Sequence, residues 1–457
     1  MLGSAEDIGL SLVVLALVFA GAALIRGLSR PLRALFIPTA VIAGFVILAL
    51  GPEGVGRLIG ATGVFSAHTF AVWQALPGVL INVMCAALLL GERLPSLKTI
   101  WSISGTHVIM AGIMSAGQFA VGSLLVLLLL EPIFEFSSKG AALIEMSFAG
   151  GHGTLAGLAP VLLEHGVNDL LEVGLGLATV GMVTGIIIGT MLVNHAVRSS
   201  SISIARGRPT SADENLDIDH HLPKPDDEPM DAWYGMAQVT AAAVFLGVSI
   251  AVGIVLLEVS RRALHVVGSD FFDKFPLFPF TIIGSVLVQL SAVRLKSESA
   301  INRRAVEGLG GLAMDGIVAG AIGTLSIGAL GHNIGPFVIL SVAAVGWGVF
   351  ATMVIGRRVF PHNWFESSMA EFGESQGNVA TGFVMLDMVD PQRKTDVATG
   401  YSYRQLITRP IIGGGFFTAL AVPLIASLGL LTFTIAMVTA TLALAVWGIR
   451  RSRNLGG

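Results

Sequence analysis

Two glycine-rich strings hold the residues with which this sequence can do chemistry. The first is Ser147-Phe148-Ala149-Gly150-Gly151-His152-Gly153-Thr154, and the second is Phe372-Gly373-Glu374-Ser375-Gln376-Gly377-Asn378-Val379-Ala380-Thr381-Gly382. Glycine reaches backbone conformations closed to other residues, so carbonyls and N–H groups can turn toward a ligand. N–H groups at the start of a half-helix suit a carboxylate, and carbonyls joined by Ser, Thr or Asn oxygens suit Na+. The chemistry on offer is the holding of ions, and neither an enzyme nor a cofactor is read from it. Taken singly, the same glycines serve tight turns and close helix contacts as well; their symmetric placement in the chain favours a site.

Individual residues sort by type. Gly150, Gly151, His152, Gly153, Thr154, Gln376, Gly377, Asn378, Thr381 and Gln118 are the candidates for touching substrate. Glu374, Ser375, Asp315 and Asn82 are the candidates for ion coupling, with a bound cation expected at Glu374, Asn378 and Thr154. An acid at membrane depth is expensive unless paired or functional, which singles out Glu374 and Asp315. His152 serves a substrate or gating role as readily as a hydrogen bond across its turn. Gln118 and Asn82 line a path or join helices. Arg409 reads as a snorkelling side chain, and Asp387, Asp390, Arg393, Lys394 and Asp396 as a solvated loop.

The elements that must position these residues are membrane helices. The chain has 457 residues, of which 54% are hydrophobic and 12% charged; a soluble globular protein carries about 25% charged residues. Mean hydropathy is +0.80, and the apolar residues come in long blocks such as Ile8–Ile25 and Leu431–Trp447. A bilayer core needs roughly 20 mostly apolar residues per helix. Soluble enzymes and nucleic-acid binders are excluded. Eleven spans are expected, at 7–26, 34–51, 75–91, 100–131, 170–196, 234–258, 278–294, 309–330, 334–356, 404–427 and 429–449. Lys and Arg follow every odd-numbered span, which puts the N-terminus outside and the C-terminus in the cytoplasm of an inner (plasma) membrane; Arg261 and Arg262 are the exception. Residues 199–232 read as an acidic cytoplasmic tether, where His220 and His221 lack the partners a metal site needs. The lone Cys85 excludes an internal disulfide and sits in an apolar run as a small buried hydrophobe.

The chain also repeats itself. Phe148, Gly153, Ala156, Leu162, Val173, Gly176, Thr184, Ile187, Ile188 and Gly189 face identical residues 224 positions later, from Phe372 to Gly413, without a gap. That is ten identities across residues 148–189, where chance gives roughly a tenth of positions. Ser102–Ile103 and Ala120–Gly122 match Ser326–Ile327 and Ala344–Gly346 at the same offset. Five spans precede the tether, and five is odd, so the second half enters the membrane with the opposite orientation. An inverted repeat of this kind is the architecture of many secondary transporters, with the site near the midplane at interrupted segments. Non-helical backbone is tolerated there only inside protein or beside water. The expected fold is an all-α polytopic membrane protein with an inverted-topology repeat of five transmembrane helices, one re-entrant hairpin per half, and an extra C-terminal helix. The first repeat covers 1–198 with its hairpin at about 141–160, the tether 199–232, the second repeat 233–428 with its hairpin at about 366–382, and the last helix and basic tail 429–457.

Ser147-Phe148-Ala149-Gly150-Gly151-His152-Gly153-Thr154, with Pro132…Gly140 before it and Glu164-His165-Gly166 after it, resembles the sodium/glutamate symporter family; Ala116-Gly117-Gln118 and the glycine-rich end of span five are similar as well. The resemblance implies Na+-driven uptake of glutamate or a similar anion through two re-entrant loops that meet at mid-membrane. By family analogy the N-terminal helices pair two chains into a homodimer. The polar string Glu374–Asn378 and the final run Leu431–Trp447 depart from the family pattern. A carrier of another organic anion, a carrier coupled to H+, and a channel or membrane sensor are the alternatives. The partners are thus a small glutamate-like anion, Na+ and the lipid bilayer, with no nucleic acid.

Overall fold

A computed structural model describes residues 5–34, 37–59, 63–91, 96–167, 169–198, 232–266, 272, 275–295, 301–325, 331–391 and 394–456. The acidic tether with His220 and His221, the repeat positions Ser326–Ile327, and Arg93, Arg206, Arg208, Lys296 and Arg393 lie outside the described residues.

All regular structure among the described residues is helical. Nine helices there are long and apolar enough to cross a membrane, and two shorter apolar ones, Phe278–Arg294 and Phe416–Leu428, accompany them. In order, they are α1 (Ala5–Leu28), α2 (Thr39–Leu50), α3 (Ala67–Ala87) and α4 (Leu97–Leu125). The first glycine-rich string holds α5 (Gly151–Gly157) and α6 (Ala159–Glu164), and α7 (Asp169–Arg198) follows. Next come α8 (Ala232–Val266), α9 (Phe278–Arg294), α10 (Arg303–Gly323) and α11 (Ile334–Phe350). The second string holds α12 (Trp364–Gln376) and α13 (Val379–Val389), before α14 (Val397–Thr408), α15 (Phe416–Leu428) and α16 (Leu430–Gly456).

Local sequence starts and stops these helices. Ser66, Ser96, Asn302 and Asn378 cap α3, α4, α10 and α13 by accepting a backbone N–H three residues on. At the far end of α3, Arg303 donates to the carbonyls of Ala87 and Leu90, which would otherwise lack partners. The long run near 100–131 is one helical path: α4 continues through a π turn, Val126–Leu130, into Glu131–Phe134. A second π turn, Ala351–Gly356, follows α11.

The expected tenth span, 404–427, is broken. Pro410 cannot donate to the preceding turn, and Gly413 and Gly414 take φ of 63° and 103°, so the chain unwinds between α14 and α15. The expected solvated loop after α13 differs too. Asp390 is buried, and its carboxylate accepts the N–H groups of Lys394 and Thr395, closing the turn into α14.

The helices form two groups. In one, α1, α2, α3, α8, α9 and α10 pack together, with α10 lying against both α2 and α3. The approach of α10 to α3 is close: a Cβ added at Gly320 would sit 2.6 Å from the Trp73 carbonyl oxygen. In the other, α4, α7, α11 to α14 and α16 surround the two glycine-rich strings, and α15 packs on α16 and on Ser138–Ala142. The groups meet chiefly where α5 touches α3 and α10. Leu10, Leu12, Val13, Leu17 and Leu24 of α1, and Val244, Val255 and Val259 of α8, are exposed, the surface a helix shows to lipid rather than to water.

Candidate functional site

The first glycine-rich string is an interrupted segment from Ser138 to Glu164. A 3-10 turn (Ser138–Ala142) leads through a π turn (Glu145–Ala149) to Gly150 and then α5. Gly151 adopts φ of 70°, a conformation costly for any residue with a side chain. The second string breaks at Gly377–Asn378, between α12 and α13, which pack back on one another. The two breaks meet. A Cβ added at Gly151 would lie 3.2 Å from the Gly377 carbonyl oxygen.

Around this point the buried polar groups exceed their partners. Gln118, on α4, donates from Nε2 to the Ser375 carbonyl at 2.8 Å, while its Oε1 makes no hydrogen bond. Gln376 is 0% exposed, and neither its Nε2 nor its Oε1 has a hydrogen-bond partner among the described residues. Three glycines make room for it: Gly181 and Gly185 of α7 face its carbonyl oxygen and Cβ, and Gly348 of α11 faces its carboxamide. Burying an amide without partners costs about 1–3 kcal/mol. Beside the two opposed helix breaks, the Gln376 carboxamide and the Gln118 oxygen are thus buried polar atoms without partners among the described residues.

The remaining expected residues are dispersed. His152 is buried and shares a 2.9 Å hydrogen bond from Nε2 with the Thr179 hydroxyl of α7. Gly153 faces the Met314 thioether of α10, so the first segment touches the other helix group here. Thr154 is buried beside Gly414 in the unwound stretch between α14 and α15. Asn378 and Thr381 serve each other, the Asn378 Oδ1 accepting the Thr381 N–H at 3.0 Å. Ser375 is buried and returns its hydroxyl to the Phe372 carbonyl. Asp315 is exposed on α10. Asn82 lines a cavity of about 420 Å³ with Gly157, Glu164, Glu258 and Arg261, at the far end of the first segment. Among the described residues no hydrogen bond joins Thr154 to Glu374 or Asn378, so the trio expected to share Na+ is not gathered by direct contact.

Glu374 has protein partners of its own. Its Oε2 accepts from the Arg404 guanidinium, the Tyr401 hydroxyl and, at 2.6 Å, the Gln405 amide. Arg404 also pairs with Glu371 at 3.0 Å, and Glu371 holds the His107 Nδ1 at 2.8 Å. Arg404 and Glu371 are almost wholly buried, so this network ties α12 to α14 and α4 in a place where bare charge would be prohibitive. The sequence carried a signal for it. Glu371 and Glu374 are three apart on one helix face, and Tyr401, Arg404, Gln405 and Thr408 share one face of another.

A second feature was missed altogether. Glu145 is 0% exposed; its Oε1 accepts the Ser115 hydroxyl (3.0 Å), the Thr418 hydroxyl (3.0 Å) and the Gly413 N–H (2.9 Å). Its Oε2 has no hydrogen-bond partner among the described residues. The available signal was an acid inside the apolar run Ala141–Met146.

No curated protein and no solved structure matches the chain. The sodium/glutamate symporter family matches residues 6–364, ending where α12 begins. The match therefore takes in the first interrupted segment, Gln118, Glu145 and His107, and leaves Glu371, Glu374, Tyr401, Arg404 and Gln405 outside it. With well over half of the sequence matched, this multi-pass chain belongs to the sodium/glutamate symporter family, a family of transporters and not of enzymes.

Proposed function

We propose that the protein is a Na+-coupled secondary transporter that imports glutamate or a similar small carboxylate-bearing amino acid by alternating access. The observation that carries this reading is the meeting of Gly151 with the Gly377 carbonyl beside the Gln376 carboxamide and the Gln118 oxygen, which have no partners among the described residues. A substrate lodged there takes its carboxylate hydrogen bonds from Gln376 Nε2 and from N–H groups at the start of α5, and gives its ammonium to the Gln118 and Gln376 oxygens. Arg404 is already neutralised by Glu371 and Glu374, which leaves amides and backbone dipoles as the anion-holding groups at the breaks. Na+ is the coupling ion named by the family.

The architecture favours transport over a channel. Both interrupted segments belong to the group built on α4, α7, α11 and α12, which meets the other group chiefly through α5. Movement of one group against the other carries the two breaks from one face of the membrane to the other. The 224-residue offset supports two inverted halves, since it maps residues 138–164 onto 362–388, where the second interrupted segment lies. An inner-membrane setting with the C-terminus in the cytoplasm follows from the basic loops.

Proteoliposomes containing the purified protein test the reading. Radiolabelled glutamate should accumulate only with an inward Na+ gradient. Accumulation driven by a pH gradient without Na+ would replace the coupling ion, and conductance without accumulation would overturn the transporter reading.

A further inference from the structure

Glu145 is a costly residue in its surroundings. It belongs to the π turn of the first interrupted segment, is 0% exposed, and all three of its hydrogen-bond partners are neutral donors. Those donors converge on Oε1, and a hydrogen bond to an ionised acceptor is roughly twice as strong as one to a neutral acceptor. Oε2 is left buried without a partner. A charge so placed is expensive unless a counter-charge accompanies it.

The partners come from three directions. Ser115 lies on α4, Thr418 on α15, and Gly413 in the unwound stretch that separates α14 from α15. Thr154, from α5, faces Gly414 in the same stretch. Discontinuous transporter helices hold Na+ through oxygen donors at their breaks, and here a buried carboxylate and several hydroxyls stand beside such a break.

We propose that Glu145 Oε2 binds the coupling Na+, with hydroxyl oxygens among Ser115, Thr154 and Thr418 completing its surroundings. The inference rests on the Na+-coupled reading and moves the ion from the expected Glu374 to the other interrupted segment. It also gives coupling a physical route. Na+ on Glu145 fixes the Gly413–Gly415 stretch against the first segment, whose Gly151 meets the second break at Gly377.

The test uses the full-length protein purified in detergent, with thermal unfolding followed in NaCl against choline chloride at constant ionic strength. A ligand that binds only the folded state raises Tm in proportion to its occupancy. Wild type should show a saturable, Na+-specific rise in Tm, and Glu145→Gln should lose it while melting in choline at or above the wild-type temperature. Glu145→Asp and Ser115→Ala, which keep a carboxylate, should bind Na+ more weakly, with half-saturation moved up by about fivefold or more. An unchanged Na+ half-saturation in Glu145→Gln overturns the proposal; if that variant does not fold, an unchanged value in Glu145→Asp does so. A wild-type protein whose Tm ignores Na+ but follows pH also overturns it, assigning the carboxyl a proton instead. Failure of the broader reading is distinguishable: wild-type proteoliposomes would then accumulate glutamate without Na+, whatever residue 145 is.

Discussion

The Gln118 side chain, on α4 in the first half of the sequence, donates to the carbonyl of Ser375, one residue before Gln376, at 2.8 Å. This single bond fixes the rim of the second helix break from the opposite half. It leaves one oxygen of Gln118 and both polar atoms of Gln376 unpaired, so rigidity and polarity are supplied by adjacent groups.

Gln376→Met separates binding from stability. The carboxamide has no protein partner, so its removal should leave Tm unchanged or raise it, recovering part of the roughly 1–3 kcal/mol that a buried unsatisfied amide costs. Substrate affinity should fall by about one to two orders of magnitude, as expected for hydrogen bonds to charged groups of about 1.5–3 kcal/mol. Calorimetric titration with glutamate at saturating Na+ provides the affinity. A lower Tm with unchanged affinity would make Gln376 a packing residue.

Arg404→Met should behave in the opposite way. It strands Glu371 and Glu374 without their counter-charge, and breaking a buried pair costs about 3–5 kcal/mol. Adding Glu371→Gln and Glu374→Gln to the same chain should restore most of the loss, read as the denaturation midpoint in detergent. Loss of folding in the triple variant as severe as in the single one would show that Arg404 acts through packing instead of charge.

Two glycines of α10 make a matched pair. A Cβ at Gly320 would meet the Trp73 carbonyl at 2.6 Å, whereas one at Gly311 meets nothing within 4 Å. Gly320→Ala should destabilise by about 1–3 kcal/mol through overpacking. Gly311→Ala should be neutral or gain up to about 1 kcal/mol from helix propensity. Equal melting temperatures for the two variants would refute the close α3–α10 approach.

Accessibility of the second break is testable with one introduced thiol. In a Cys85→Ala background, Asn378→Cys places it at an exposed position of the break, at a cost of about 1 kcal/mol for the lost cap. Membrane-impermeant thiol reagents should label this variant, and glutamate with Na+ should change the rate. Gly153 is the poorer probe, because its Cβ would run into the Met314 thioether. Labelling of the Asn378→Cys variant at one constant rate, with and without both ligands, would place this break outside the transport path.

The membrane helices and both interruptions were legible in sequence because their causes are local: unbroken apolar runs, and glycines where helices stop. Gln118 and Gln376 were legible as polar groups in apolar surroundings. The ion arrangement was not, because it depends on contacts across the chain. Glu145 meets Gly413 and Thr418 from 268 and 273 residues away, and nothing near it reveals that one oxygen is satisfied and the other is not. Glu374 stood out by the same reasoning about buried acids, but three of its donors lie 27 to 31 residues downstream on α14. The unwound stretch after Thr408 was hidden differently. The span 404–427 was read from its apolar run, and its counterpart at the 224 offset, near Gly189, does run straight through α7, whereas Pro410 and three glycines impose a break here.

In the proposed transport cycle, where one helix group moves along the other, the contact between Gly153 and Met314 would act as a bearing. Where the surfaces touch, one side offers bare backbone and the other an unbranched thioether with three rotatable bonds, which re-poses without disturbing its helix. A β-branched residue at 314 would act as a ratchet tooth there, lengthening the time per transport cycle while leaving the equilibrium hold on substrate and ion untouched.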